Sequence, residues 1–311
     1  TFHQSGQLDP SVNIDLKTSA VRLLSHDLHE EQRENALIVA FQPGDIHLQM
    51  LQGRLQTSIQ LPLSKIDGLA LQAAIPPGQD SLMKRPLQGQ ITTEIQNLDF
   101  IADLIPEVQT LAGRLTGNMA IAGSLASPVF QGRLALVEGA AQLEHPGLSL
   151  KDIQVELTGE GDRGIRLAAH AVSEGGELNI DGTSDLRGKA AKADIRVKGE
   201  NFRVINTFAA QVDASPNLTI TLSENRVHVG GEVVIPNAQI TLKTLPESAV
   251  NASGDQVIVT SEEPATAGET AGREMYASVR TSLGDNVTFN GFGLKARIQG
   301  NILAVDKPGE P

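Results

Sequence analysis

The chain has 311 residues and a formal net charge of −12, and it contains no cysteine. The acidic balance excludes a nucleic-acid-binding surface, because no basic stripe is available to neutralise phosphates, and the absence of cysteine excludes disulfides and thiolate metal sites. Hydrophobic residues make up 40% of the chain but aromatic residues only 3%. Aliphatic side chains must therefore fill the core, and the composition leaves open whether that core is slim and closed or partly open.

The N-terminal part of the chain starts in the middle of a pattern, with neither an initiator methionine nor a signal peptide. We therefore expect the chain to be a piece of a longer protein, with any targeting or anchoring segment elsewhere. A charged stretch at 25–35 indicates a surface loop. It contains His26 and His29, whose spacing could place two imidazoles on one helical face, but no third ligand is marked, and we expect no metal site.

Two-residue alternation is the main signal, and it is clearest at 51–63. Leu51, Leu55, Ile59 and Leu61 stand at odd positions there, with glutamine, arginine and serine between them. Successive side chains of a strand point to opposite faces, so this segment has one apolar and one wet face. The alternation recurs to the end of the chain, separated by turn clusters at 75–78, 174–177 and 290–291. One-sided alternation of this kind predicts an all-β fold.

Three segments depart from the alternation. Residues 97–105 have a helical period that Pro106 ends, and 202–210 could form a second short helical turn. Residues 261–273 are small, polar and acidic, which predicts a flexible loop. The predicted segments are 1–96, a short helix and possible boundary at 97–110, a second sheet segment at 111–260, the loop at 261–273 and terminal strands at 274–311. The sequence leaves open whether 97–110 separates two domains.

The motifs of catalysis are not found in the sequence. It contains no nucleophile elbow, no phosphate-binding loop, no dinucleotide fingerprint and no calcium loop. The glycine-rich stretch at 159–164 fits a hairpin turn. We therefore expect no enzyme activity, no cofactor and no metal.

The long apolar face has two possible uses. Two sheets could close on each other, or one sheet could fold over and leave an apolar trough that needs a partner. Glycines on the apolar register can be interpreted as bends in the sheet or as room for an acyl chain. They are Gly53, Gly89, Gly113, Gly117 and Gly132.

Several stretches resemble the TamB family. They are 99–117, 124–132 with its G-x-L-x-x-P-x-x-x-G strand-turn-strand unit, 233–240 with 245–246 and 253–259, and above all 283–294. The resemblance covers most of 97–303 and corresponds to an internal to C-terminal region of the family's proteins. Residues 1–96 fit mainly by their alternation.

The resemblance implies an elongated, folded-over sheet with an apolar interior groove, called a β-taco. It implies a protein of the Gram-negative periplasm, anchored in the inner membrane by an N-terminal helix, whose C-terminus meets the Omp85-family barrel TamA. It also implies phospholipid transport and assembly of outer-membrane proteins such as autotransporters. We expect the anchor to lie outside this chain and the chain to stop before the extreme C-terminal strands, so contact with TamA is expected of the full-length protein.

Three hypotheses follow for function. The first is a hydrophobic groove for phospholipid acyl chains, and the second is a scaffold that assembles or secretes outer-membrane proteins by β-strand pairing. The third, a β-helix enzyme acting on polysaccharide, is disfavoured by the scarcity of aromatic residues and the scattered carboxylates. The predicted groove lining is Leu55, Ile59, Leu61, Leu115, Met119, Ile121, Leu134, Leu136, Ile153, Val155, Leu157, Leu178, Ile180, Ile195, Val197, Leu218, Ile220, Val227, Val229, Val233, Ile235, Ile240, Leu242, Val287, Phe289, Leu294 and Ile298.

Overall fold

The computed structural model describes residues 11–16, 20–23, 37–40, 44–62, 67–98, 102, 107–186, 191–223, 226–242 and 274–306. These residues form an all-β fold, as the alternation predicts. The strands are β1 (Ser11–Leu16), β2 (Ala20–Leu23), β3 (Leu37–Ala40), β4 (Gly44–Leu51), β5 (Arg54–Pro62), β6 (Gly68–Ile75), β7 (Gln88–Ile95), β8 (Val108–Ser124), β9 (Ser127–Leu143), β10 (Leu148–Gly161), β11 (Ile165–Ser173), β12 (Gly176–Asp185), β13 (Lys192–Glu200), β14 (Phe202–Asn206), β15 (Ala210–Ser223), β16 (Arg226–Leu242), β17 (Glu274–Gly291), β18 (Leu294–Arg297) and β19 (Gly300–Asp306).

One long sheet contains 17 of the described strands, while β2 and β3 pair separately. From β4 to β13 each strand pairs antiparallel with the next one in the chain. β13 and β14 lie end to end against β15, which pairs with β16. β1 pairs with β4, whereas β18 and β19 both pair with β17. The sheet is open and mixed, and it is consistent with an elongated, folded-over sheet.

A parallel pair, β16 with β17, interrupts the antiparallel order. Parallel neighbours cannot be joined by a hairpin, since the chain must return to the other end of the strand before pairing. The alternation of the sequence shows strands at these positions but not their relative direction. The predicted flexible loop at 261–273 belongs to this connection and lies outside the described residues.

Tight turns lie close to the predicted clusters, with two corrections. Glu174 and Gly175 form a turn with φ of 49° and 90°, the conformation of a two-residue hairpin loop. The predicted turn at 290–291 is wrong, because those residues end β17 and the turn is at 292–293. The single strand predicted at 51–63 is also wrong. A turn at Gln52 and Gly53 divides it, so Leu51 ends β4 opposite Arg54, and Gly53 is a turn residue rather than part of the apolar register.

The second predicted helical turn, at 202–210, is wrong. Phe202–Asn206 forms strand β14, followed by bends at 207–209. Contacts within the sheet determine this conformation, because Phe202 is buried and the Arg203 side chain forms a salt bridge with Asp213 on the neighbouring strand. Tertiary contacts of this kind override a weak local helical pattern.

The predicted helix at 97–105 is described only in part. Leu98 and Ala102 are both buried, and the Ala102 N–H donates to the Leu98 carbonyl oxygen at 3.3 Å, a helical i to i−4 bond.

The predicted loop at 25–35, with His26 and His29, lies outside the described residues. The described part of the chain contains no helix long and apolar enough to cross a membrane. The strands on both sides of 97–110 pair within the same sheet, and the domain limits stay a prediction.

Gly132 is held in a backbone conformation that other residues rarely adopt. Its φ is 132°, and a Cβ there would clash with the backbone oxygen of Asn118 on the adjacent strand. We expect Gly132→Ala to lower the free energy of unfolding by about 2–3 kcal/mol, measured by urea denaturation. Gly230→Ala is the matched control, because its Cβ would meet only the Ser278 backbone oxygen at 3.8 Å. Equal losses for the two variants would contradict the prediction.

Candidate functional site

The apolar face of the long sheet is continuous across strands. Directly opposed residues of paired strands place their side chains on the same face. One such row crosses eight strands from β7 to β15, and its members are Ile95, Leu115, Leu136, Val155, Ala169, Ile180, Val197 and Leu218. With strands spaced about 4.8 Å apart, the row extends about 30 Å.

A second row lies beside it. Its members are Leu61, Leu69, Thr93, Gly117, Leu134, Leu157, Leu167, Gly182, Ile195, Ile220, Val229 and Ala277. The two rows make a broad apolar strip rather than a single line of contacts. We call this strip and its neighbours in the same register the apolar face.

The residues predicted as groove lining all stand in the register of the apolar face. Met119 and Val287 are buried, whereas Leu294 and Ile298 are 57% and 38% exposed. All the others are half-buried. Half-burial along a whole sheet face means that protein atoms cover it only partly. The face therefore remains an accessible apolar surface, which is uncommon on this scale in a soluble protein.

Fully buried hydrophobic side chains are few among the described residues, and several lie at the margins of the sheet. At one margin Ile75 and Leu87 are buried, and Arg85 donates to the Gly53 and Pro76 carbonyl oxygens at 3.2 and 3.4 Å. At the other margin the Gln96 N–H donates to Asp67 Oδ1 at 2.6 Å beside the buried Leu98. These contacts close the ends of the strands rather than the middle of the apolar face.

Two members of this face are not among the residues predicted from the sequence. Pro216 faces Val233 in the interior of the sheet, although proline is normally confined to edge strands. Ser173 is fully buried on the same register, and its hydroxyl has no hydrogen-bond partner among the described residues. Pro216 could have been assigned to this face from the sequence, because it stands at an apolar position in the alternation of its strand. Nothing in the sequence distinguished Ser173 from the surface serines.

The opposite face is polar and carries cross-strand ion pairs. Arg133 lies 2.6 Å from Glu156, Arg226 lies 3.0 Å from Glu274, and Arg166 lies 2.9 Å from Glu160. Among the described residues no group of three or more acidic or histidine side chains could hold a metal ion. The clefts described on this sheet lie mainly on the polar face.

The Glu160–Arg166 pair gives a test of the polar face. The hydrogen bond from Arg166 lowers the pKa of Glu160, with its positive charge adding to the effect. The ion pair is therefore intact at neutral pH. Its contribution to the stability of the fold is lost as pH falls through the lowered pKa of Glu160. We expect Arg166→Gln to return this pKa towards its ordinary value, measured by NMR titration of the Glu160 carboxyl carbon. An unchanged pKa would contradict the assignment.

Comparisons with known proteins give the family. A family model described as the TamB C-terminal domain matches residues 163–311, and a second, described as the TamB N-terminal domain, matches residues 2–136. The "Translocation and assembly module subunit TamB" of Haemophilus influenzae is 27% identical over 243 residues, covering 73% of this chain and 18% of that protein. No solved structure gives a significant match. The two family models lie on either side of residues 137–162 and together cover most of the sequence, and on that ground the chain belongs to the TamB family.

Proposed function

We propose that the apolar face binds the acyl chains of phospholipids and lets them pass along the sheet between the inner and outer membranes. The observation that carries this proposal is the continuous, half-buried apolar face across consecutive strands. Half a bilayer's hydrocarbon core is about 15 Å thick. The row from Ile95 to Leu218 is about twice that length, so an acyl chain can lie on it without leaving apolar surroundings.

The energetics favour sliding over tight binding. Each methylene group withdrawn from water contributes about 0.8 kcal/mol, and this contribution has no preferred direction along a uniform apolar surface. Aliphatic side chains repeat at every strand, so a chain that moves by one strand exchanges one set of contacts for a similar one. An open face also leaves the phosphate headgroup at the margin, in water.

The wider role follows from the family. The curated relative is named as a subunit of a translocation and assembly module, and we assign this chain to the corresponding part of such a module. For the full-length protein we propose a location of this sheet in the periplasm of a Gram-negative bacterium, with an inner-membrane anchor and the Omp85-family barrel TamA as partner. The chain spans 18% of the relative's length, so these partners belong to the whole protein. We assign no enzyme activity to it.

Site-specific photocrosslinking tests the proposal. A photoreactive residue replaces Leu134 or Ile195 on the apolar face, and matched residues replace Arg133 or Asp194 on the polar face of the same strands. We expect crosslinks to phospholipid only from the first pair. Equal lipid crosslinking from both faces, or none from either, would reject the acyl-chain path.

A second function, pairing with strands of outer-membrane proteins, is favoured by the C-terminal edge of the described sheet. β19 pairs on one side only, with β17, among the described strands. Its hydrophobic side chains are exposed on both faces: Ile302 by 64%, Leu303 by 58% and Val305 by 53%. An edge of this kind presents unpaired backbone groups to an incoming strand.

The two functions are distinguished by where the crosslinks form. A photoreactive residue at Leu303 is expected to crosslink to protein clients if the edge receives strands, whereas Leu134 is expected to crosslink to lipid. Client crosslinks at Leu303, together with no lipid at Leu134, would make strand pairing the primary function.

A further inference from the structure

The polar face of β4–β7 carries a cleft of about 500 Å³ whose chemistry differs from the rest of that face. Two cross-strand rows line it. The first is Gln49, Gln56, Ala74 and Gln88, and the second is His47, Ser58, Gln72 and Gln90. The rows cross four strands, so the lined length is about 15 Å. We call these eight residues the carboxamide cleft.

No side chain of the carboxamide cleft is an acid, lysine or arginine. This neutrality is local, because charged residues make up 20% of the chain. Other clefts on the same face are charged: one contains Arg133 and Glu156, and another Arg166 and Asp194. If this part of the polar face only contacted water, we would expect charged side chains in the carboxamide cleft, as in the other clefts of the same face.

The carboxamides of the cleft are also little used within the protein. Gln90 donates to Asn118 Oδ1 at 3.1 Å, whereas no side-chain hydrogen bond joins Gln49, Gln56 or Gln72 to another described residue. Each carboxamide offers two N–H donors and one oxygen acceptor. The cleft therefore presents donors and acceptors at each strand spacing, without net charge.

The chemistry of the cleft selects one class of ligand. An anionic polymer would meet no cation in the cleft and a chain of net charge −12. An apolar ligand has the opposite face of the sheet available. An extended peptide binds through main-chain hydrogen bonds at a sheet edge, and the main-chain groups of β4–β7 are already paired within the sheet. A neutral saccharide chain, with hydroxyl or acetamido groups that both donate and accept, matches what remains.

We propose that the carboxamide cleft binds a neutral saccharide chain that lies across β4–β7 on the polar face. The site is independent of the acyl-chain path, because its side chains point away from the apolar face. The absence of an aromatic ring in the cleft implies that binding is weak and depends on several hydrogen bonds at once.

NMR titration of the 311-residue chain tests the proposal through the side-chain carboxamide resonances. The probes are chitotetraose, which carries acetamido groups, cellotetraose, which carries only hydroxyls, and a neutral glycine-serine peptide of similar length. We expect saturable shifts of the Gln56 and Gln72 carboxamide resonances with at least one saccharide. A preference for chitotetraose identifies acetamido recognition, and equal binding of both identifies hydroxyl recognition.

The matched variants are a Gln56→Ala/Gln72→Ala double substitution and Gln239→Ala, an exposed glutamine on β16 outside the cleft. The double substitution is expected to weaken saccharide binding about tenfold, the effect of losing two hydrogen bonds of ordinary strength, and Gln239→Ala to leave it unchanged. No saturable shift with either saccharide, equal binding by the double variant, or stronger binding of the peptide would overturn the proposal.

Discussion

Ile180→Asp is expected to reduce the phospholipid recovered with the purified protein by about tenfold or more. Ile180 lies in the Ile95–Leu218 row of the apolar face, between Ala169 and Val197, and it is half-buried. An acyl chain on this row would lose contact for about three methylene groups, a loss of about 2 kcal/mol. It would also have to cover an unpaired carboxylate, which is strongly unfavourable. The measurement is phosphorus analysis and mass spectrometry of extracted lipid.

Thr183→Asp is the matched control for this substitution. Thr183 is on the same strand, three residues away, and it is exposed on the polar face between Arg166 and Asp194. The same carboxylate there is expected to leave lipid recovery unchanged. Thermal unfolding of both variants separates loss of lipid from loss of fold. If folded Ile180→Asp protein retains as much lipid as Thr183→Asp protein, the apolar face is not the lipid path.

Much of the fold could be predicted because the alternation has a period of two, which fixes both the strand and its buried face. Leu115, Val155, Ile180 and Val197 were assigned to one face from sequence alone, and the register places them in a single row. Bulges shift the alternation, and the sequence does not mark them. At Asp152, with φ of 49°, an extra residue enters β10, yet Leu150 and Ile153 both stay in the register of the apolar face.

The failures have a common physical cause. A local pattern does not report which strand pairs with which, nor where a short turn divides a continuous alternation. Leu51 follows the alternation of 51–63, yet the hairpin at Gln52 places it opposite Arg54. Phe202 was predicted to lie in a helical turn, yet pairing with Ala214 makes it part of a strand. The parallel β16–β17 pair depends on a long-range return of the chain, which leaves no trace in either strand.

The candidate site also has one property that the sequence predicts and another that it does not. Which side chains face the apolar side follows from their position in the strand, and this could be predicted. How far that face is covered depends on the curvature of the whole sheet, which the composition left open. The carboxamide cleft combines both kinds of information. The glutamines are visible in the sequence, but their alignment as Gln72 opposite Gln90 needs the register.

Asp213→Ala is expected to lower the free energy of unfolding by about 3 kcal/mol, because it leaves a partly buried arginine without its counter-charge. Arg203 Nε bonds to Asp213 Oδ1, and the two side chains are only 20% and 13% exposed. Asn237 Nδ2 also donates to Asp213 Oδ2 at 3.2 Å. The carboxylate therefore joins β14, β15 and β16, and its removal breaks a connection among three strands.

Glu156→Ala provides the control, since Glu156 pairs with Arg133 at 2.6 Å while their side chains are 39% and 62% exposed. Exposed ion pairs contribute about 0–1 kcal/mol, so this variant is expected to unfold at nearly the original urea concentration. A double variant, Arg203→Met with Asp213→Leu, should recover much of the stability lost in Asp213→Ala, because no buried charge then remains unpaired. If Asp213→Ala lowers the free energy of unfolding no more than Glu156→Ala does, burial does not strengthen the Arg203–Asp213 pair. In that case β14 is held to the sheet by the buried Phe202 ring and by its backbone hydrogen bonds.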